Sequence, residues 1–254
     1  MMIFVTGDTH AQFDRRFNTK SFPEQKEMTK DDYLIICGDF GGIWDRSGES
    51  NSEKHWLDWF NDRSYTLLFI DGNHENFDRL EEYPQKEWKG GKVHVIRPSI
   101  YHLMRGQVYE IDGKKIFTFG GASSHDMSGG LLDPEDPDYL RKKWELEREY
   151  EPYRIKHISW WEQELPSEEE MQEGLNNLQK HDNTVDFIIT HCCSTSTLQK
   201  LGVSPAYASD ILTDYFDRIK KMVKYRKWIF GHYHDNTNVN GKEILIYEQI
   251  IRIS

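Results

Sequence analysis

A chain of 254 residues with 37% hydrophobic and 13% aromatic side chains has material for one large packed domain, 1–254, or a domain carrying an insertion. Its formal net charge of -11 at pH 7 counts against a long polyanion such as DNA or RNA as the main partner. No window approaches the roughly 18 consecutive apolar residues of a membrane helix. With three cysteines and no leader-like start, the chain is expected to be cytoplasmic.

Short apolar runs alternate with amphipathic stretches, the pattern of an α/β sheet covered by helices. Strands are expected at Ile3–Val5 and Tyr33–Cys37, then a helix at Asn51–Arg63, where Trp56, Trp59 and Phe60 recur at helical spacing. Further strands follow at Thr66–Ile70, Val93–Arg97, Gln107–Ile111 and Lys115–Phe119. Residues 122–166 break the rhythm. They are dense in charge, proline and aromatics and are expected to form an inserted cap or lid. Ser167 and Glu170 make a capping-box pattern, opening a helix with Met171, Leu175 and Leu178 on one face. After a strand at Val185–Thr190, a helix near Ser209–Val223 carries Leu212, Tyr215, Phe216, Ile219 and Met222, and strands at Trp228–Phe230 and Ile244–Ile251 close the chain.

The ends of these strands carry the chemistry. Asp8 and His10 follow the first, and alone they read more readily as an ordinary strand-to-turn junction than as a metal-gripping pair. Gly38-Asp39 follows the second, Asp71-Gly72-Asn73-His74-Glu75 the third, Thr190-His191 ends a later one, and Gly231-His232-Tyr233-His234 follows the next. Carboxyl ends of strands are where α/β sheets bind ligands. Oxygen and nitrogen donors suit divalent manganese, with iron or zinc as alternatives. Asp8, His10, Asp39, Asn73, His191, His232 and His234 are too many for one tetrahedral ion, and they suit two ions about 3.5–4 Å apart sharing a carboxylate. Two such ions outweigh the two carboxylates, leaving a positive spot matched to a phosphate group, with a bridging hydroxide as attacking group.

The series D-x-H, G-D, G-N-H-E, strand-end T-H and G-H-x-H, spread in this order from residue 8 to 234, resembles the calcineurin-like metallophosphoesterases. The resemblance implies a four-layer αββα sandwich of two mixed β-sheets flanked by helices, and a metal-dependent phosphoric ester hydrolase. It implies Asp8, His10 and His234 on the first metal, Asn73, His191 and His232 on the second, and Asp39 as the bridge. His74 matches the family's leaving-group acid or phosphate contact. Protein phosphatases of the superfamily continue their second motif into Asp-Arg-Gly; "GDFGGIWDRSG" places Gly41-Gly42 there, and either Asp45 or Asp71 is left to orient His74. "GGASSHD", "SWWEQELPS" and "VDFIITH" are similar to a bacterial and phage subgroup labelled serine/threonine phosphatase-like.

The expected activity is phosphomonoester hydrolysis on a phosphorylated small molecule or phosphopeptide, including protein phosphatase-like action. The alternatives are a phosphodiesterase on small nucleotides and a non-catalytic scaffold, whose usual mark would be a missing ligand. His125, Trp160 and Trp161 are candidate substrate contacts, although paired tryptophans more readily anchor a cap to its body. His55, His94, His102, His157 and His181 carry no metal spacing and are expected at the surface or in packing.

Overall fold

β-branched and aromatic runs with no polar break can be buried on both faces, and the first strands of the chain are of this kind. The computed structural model describes all residues, Met1–Ser254. In chain order its elements are β1 (Ile3–Thr6), α1 (Phe13–Arg16), β2 (Tyr33–Ile36), α2 (Asn51–Asn61), β3 (Thr66–Phe69), α3 (Phe77–Leu80), β4 (Gln85–Trp88), β5 (Gly91–Arg97), β6 (Ile100–Leu103), β7 (Gln107–Ile111) and β8 (Lys114–Phe119). There follow β9 (Leu131–Leu132), α4 (Tyr139–Glu149), β10 (Arg154–Ile155), α5 (Glu168–Lys180), β11 (Phe187–Thr190), α6 (Thr195–Leu201), α7 (Ile211–Met222), β12 (Lys227–Phe230), β13 (Thr237–Asn238), β14 (Glu243–Leu245) and β15 (Ile250–Arg252).

One sheet runs β15-β1-β2-β3-β6-β5-β4 and the other β13-β14-β12-β11-β8-β7. Both are mixed: β1, β2, β3 and β6 are parallel, as are β8, β11, β12 and β14, and the antiparallel strands lie outside them. Side chains alternate across each strand, which sorts the core into layers. Ile3, Val5, Ile35 and Leu68 meet Ile116, Phe187, Ile189 and Ile229 between the sheets. Phe4, Leu34 and Leu67 face Phe13, Leu57 and Phe60 outside the first sheet, and Phe117, Ile188 and Trp228 face Leu178, Leu212 and Phe216 outside the second. Each such fully buried side chain contributes about 1.5–3 kcal/mol. The result is the helix–sheet–sheet–helix sandwich expected from the sequence, and no helix is long and apolar enough to cross a membrane.

The expected strand Ile244–Ile251 is two strands: β14 joins the second sheet beside β12 and β15 joins the first beside β1, so the chain crosses the sandwich between them. The polar pair Glu248-Gln249 marks the break. β4 escaped the pattern because it is a largely exposed, polar edge strand.

Residues 122–166 leave the second sheet after β8. They hold the parallel pair β9–β10 and α4, which buries no residue of its own. What fixes them is α3. The Trp161 indole donates to Asp78 Oδ2 at 2.8 Å, and His157 Nδ1 lies 3.0 Å from both Asp78 oxygens. Trp161 is 0% exposed and packs edge-on against Trp44, 5.7 Å between ring centres. This corrects its candidacy as a substrate contact: with no surface free, it anchors the segment. Trp160 is half-buried, beside Ser124 and Glu164.

Candidate metal centre

Parallel strands deliver their following loops to one edge, and here the loops after β1, β2, β3, β11 and β12 converge. Four candidate ligands take left-handed backbone: His10 at φ 43°, Asp39 at 47°, His232 at 70° and His234 at 49°. Such a conformation costs a non-glycine residue about 1–2 kcal/mol, and strain of this kind collects at functional sites.

The side chains form two groups. In the first, His10 Nε2 lies 3.0 Å from His234 Nε2 and 3.9 Å from Asp8 Oδ2, and His234 Nε2 is 3.3 Å from Asp8 Oδ2. In the second, His191 Nε2 lies 3.2 Å from Asn73 Oδ1 and 3.4 Å from Asp39 Oδ2, with the His232 ring centre 4.9 Å from that of His191. Asp39 Oδ2 is also 3.6 Å from His10 Nε2, so one carboxylate oxygen reaches both groups. Donors about 2.1 Å from a common ion lie about 3–3.5 Å apart. The donor set therefore fits divalent ions.

Four of these candidate ligands are aimed by their other polar atoms. His191 Nδ1 is 2.7 Å from the Cys37 carbonyl, which can only accept, so Nδ1 carries a proton and Nε2 is the atom left to face an ion. Asn73 Nδ2 donates to Ser124 Oγ at 3.3 Å, turning Oδ1 toward His191. Asp39 Oδ1 accepts the His74 backbone N–H at 2.8 Å, and Asp8 accepts that of His232 at 2.9 Å. A Cβ on Gly72 would strike the Asp39 carboxylate, and one on Gly231 that of Asp8.

The local field calls for positive charge. Burial disfavours the Asp39 carboxylate, yet the His191, His74 and His10 rings hold it well below the usual range. Burial also works against a charged His191, but Asp39 and Asp8 push it up to about 10. The ion-free site thus carries its own cation, which a metal would displace. Burial and neighbouring His191 hold His232 neutral.

Neither expected carboxylate orients His74. Asp71 is engaged by Arg105 at 2.6 Å and His102 at 3.1 Å, and the Asp45 carboxylate makes no hydrogen bond to the His74 ring. Arg154, on β10, instead brings Nη2 to 3.5 Å from His74 Nε2 while its guanidinium grips Asp126 at 2.6–3.0 Å. Sequence reasoning missed Arg154, one basic residue among many in "REYEPYRIKH". His102 and His94 stack in the core, 5.2 Å apart, where they extend the Asp71 network. His125 lies 4.1 Å from the Tyr207 ring and 5.8 Å from that of His232, with its Nδ1 buried and unpartnered.

Glu164 braces Ser124, the residue of the 122–166 segment that Asn73 donates to: its Oε2 accepts the Ser124 N–H at 3.0 Å, and Oε1 has no partner. Burial pushes its carboxyl up from 4.5 to about 8, against the hydrogen bonds from Ser124. Below about pH 4.5 both folded and unfolded chains hold this proton and the residue costs nothing. Between there and pH 8 only the unfolded chain ionises, so stability falls, and it levels off above. Glu164→Gln, always neutral, is expected to match the wild type near pH 4 and to exceed it by roughly 2–4 kcal/mol near pH 8.5 in denaturant midpoints.

The comparisons agree with this geometry. The family model for Calcineurin-like phosphoesterase matches residues 1–236. Lariat debranching enzyme A of Xenopus laevis is 27% identical over 172 residues, 62% of this chain and 31% of that protein. The human lariat debranching enzyme is 26% identical over 174 residues, 62% of this chain and 30% of that protein. The chain thus spans less than a third of the length of these curated relatives. A solved phosphopantetheinyl hydrolase from Mycobacterium tuberculosis aligns with 97% of this chain and 90% of its own, at 13% identity and a TM-score of 0.44. With its family profile matched over most of its length and one Asp39 oxygen within reach of imidazoles of both donor groups, the chain belongs to the calcineurin-like phosphoesterase family, whose members use a dinuclear divalent metal centre.

Proposed function

We propose that the chain is a phosphodiesterase in which Asp8, His10 and His234 hold one divalent ion, Asn73, His191 and His232 hold the other, and Asp39 is shared. The reach of Asp39 Oδ2 to imidazoles of both groups, 3.4 and 3.6 Å, supports the sharing. Bound there, the ions would supply Lewis acidity toward phosphoryl oxygens and an activated water, with manganese first and iron or zinc as alternatives. The chain's own residues do the rest. Arg154 offers a guanidinium to phosphoryl oxygens. His74, between Arg154 and His10, contacts the phosphoryl group or the leaving oxygen.

The observation favouring a diester is a cleft beside each donor group. One, of about 270 Å³, is bordered by His10 and His74; the other, of about 130 Å³, by His232 and His125. A diester has two arms to place, a monoester one. The relatives, named for debranching lariats, support the same direction. They also remove the ground for setting nucleic acid aside, since a net charge summed over the whole chain says little about one edge of it. The expected monoesterase is the second reading, favoured by Arg154, whose charge suits the extra negative charge of a monoester.

The test compares manganese-supported hydrolysis of bis(4-nitrophenyl) phosphate and 4-nitrophenyl phosphate. A diester preference of about tenfold or more in kcat/KM, about 1.4 kcal/mol, is expected. A monoester preference transfers the assignment to the second reading. No turnover of either by the metal-loaded protein overturns both and favours a binding scaffold.

A further inference from the structure

We propose that the cleft beside His10 and His74 is a nucleobase subsite, built by the Gly41–Asp45 loop, and that the substrate's ester arm on this side is a nucleoside. The inference rests on the phosphoester reading of the centre and names its substrate class.

The loop is the stretch where the sequence leaves the family's phosphatase pattern. Gly41, at φ 74°, passes so close to the His10–Ala11 backbone that a Cβ there would lie 2.5 Å from the Ala11 nitrogen. The chain can therefore press flat against the first donor group before rising to Trp44. Glu53, capping α2, then fixes the rise: its Oε1 accepts the backbone N–H of Trp44 and, at 2.8 Å, that of Asp45, while Arg79 holds the same carboxylate at 2.8 Å.

The walls of the cleft are aromatic and propped from behind. Trp44 lies 6.0 Å from the His74 ring and is backed by buried Trp161 at 5.7 Å. Trp56 is backed edge-on by Phe13 at 5.3 Å and Trp59 at 5.6 Å. Both tryptophans stay only half-buried, so apolar surface is left facing the opening. Rigid, partly uncovered rings are stacking platforms, and every base has a π face to offer them.

Size and charge select the occupant. About 270 Å³ is just below the roughly 300–1,000 Å³ of whole-ligand pockets, so the cleft takes one ring system, not a stretch of folded protein. Asp45 on its border repels a second phosphate, and its carboxylate can accept from a base's amino group. Because His10 and His74 border the same cleft, a group in it would be the one esterified to phosphate at the centre.

The experiment titrates manganese-loaded protein calorimetrically with adenosine 5′-monophosphate and with ribose 5-phosphate, which differ only in the base. The nucleotide is expected to bind roughly 5- to 150-fold tighter, the size of one base stacked on aromatic side chains. Trp44→Leu and Trp56→Leu, which keep apolar bulk, should each shrink that ratio several-fold and leave ribose 5-phosphate affinity unchanged. Asp45→Asn, at an exposed position, gives a third variant whose folding is not at risk and should also lower the ratio. Equal wild-type affinities for the two ligands, or a ratio unmoved in all three variants, would overturn the subsite. Base preference without turnover of any nitrophenyl ester would sink the hydrolase reading and keep the subsite; turnover without base preference would do the reverse.

Discussion

Asp39→Asn is expected to lower manganese-supported hydrolysis by about 10³-fold or more, or about 4 kcal/mol. The substitution is nearly isosteric. Its retained oxygen can still accept the His74 N–H, so the loop after β3 keeps its tie. What changes is the other atom, which becomes an N–H donor pointed at His10 Nε2 and His191 Nε2, 3.6 and 3.4 Å away in the wild type. The charge that both donor groups use is gone, and a proton occupies the place of a shared lone pair. Losing an outer partner of a metal ligand typically costs 10–100-fold; losing a ligand common to two ions should cost more. Metal content and rate, measured together, check this. A variant that keeps two ions and wild-type turnover would remove Asp39 from the centre.

Gly231→Ala should weaken metal binding by about 10–100-fold and lower stability by about 1–3 kcal/mol. The added Cβ would fall on Asp8 Oδ1 and lie 3.2 Å from the Cys37 carbonyl oxygen. Asp8 cannot retreat easily, because its oxygens accept the His232 N–H at 2.9 and 3.1 Å. The methyl therefore moves either the first donor group or the loop that carries His232 and His234. Gly113→Ala is the matched control: its φ of 66° makes alanine costly, but nothing lies within 4 Å of the new Cβ. It should lose about 1 kcal/mol of stability and no metal affinity. Metal titration with thermal melts of both variants separates collision at the centre from general backbone strain.

The cluster of candidate ligands was legible because its members follow short, fully apolar strands within a few residues, and parallel strands send such positions to one edge. The layers were legible for the same reason, since strands buried on both faces need cover on both sides. What could not be read was contact made across long separations by ordinary-looking residues. Ser124 turns Asn73 from 51 positions away, and Arg154 reaches His74 from 80 positions away. A serine in a loop or an arginine in a charged stretch carries no local mark of either task. Trp160 and Trp161 show the same limit. Adjacent and alike in sequence, they part in space, with Trp161 sealed against Trp44 and Asp78 and Trp160 half-buried.

The most direct measurement of the shared-carboxylate centre is a manganese titration of chelator-stripped wild-type protein, following bound metal and diester hydrolysis in the same samples. The expected result is activity that reaches its plateau at two equivalents per chain. A plateau at one equivalent, or full hydrolysis by the stripped protein, would contradict it.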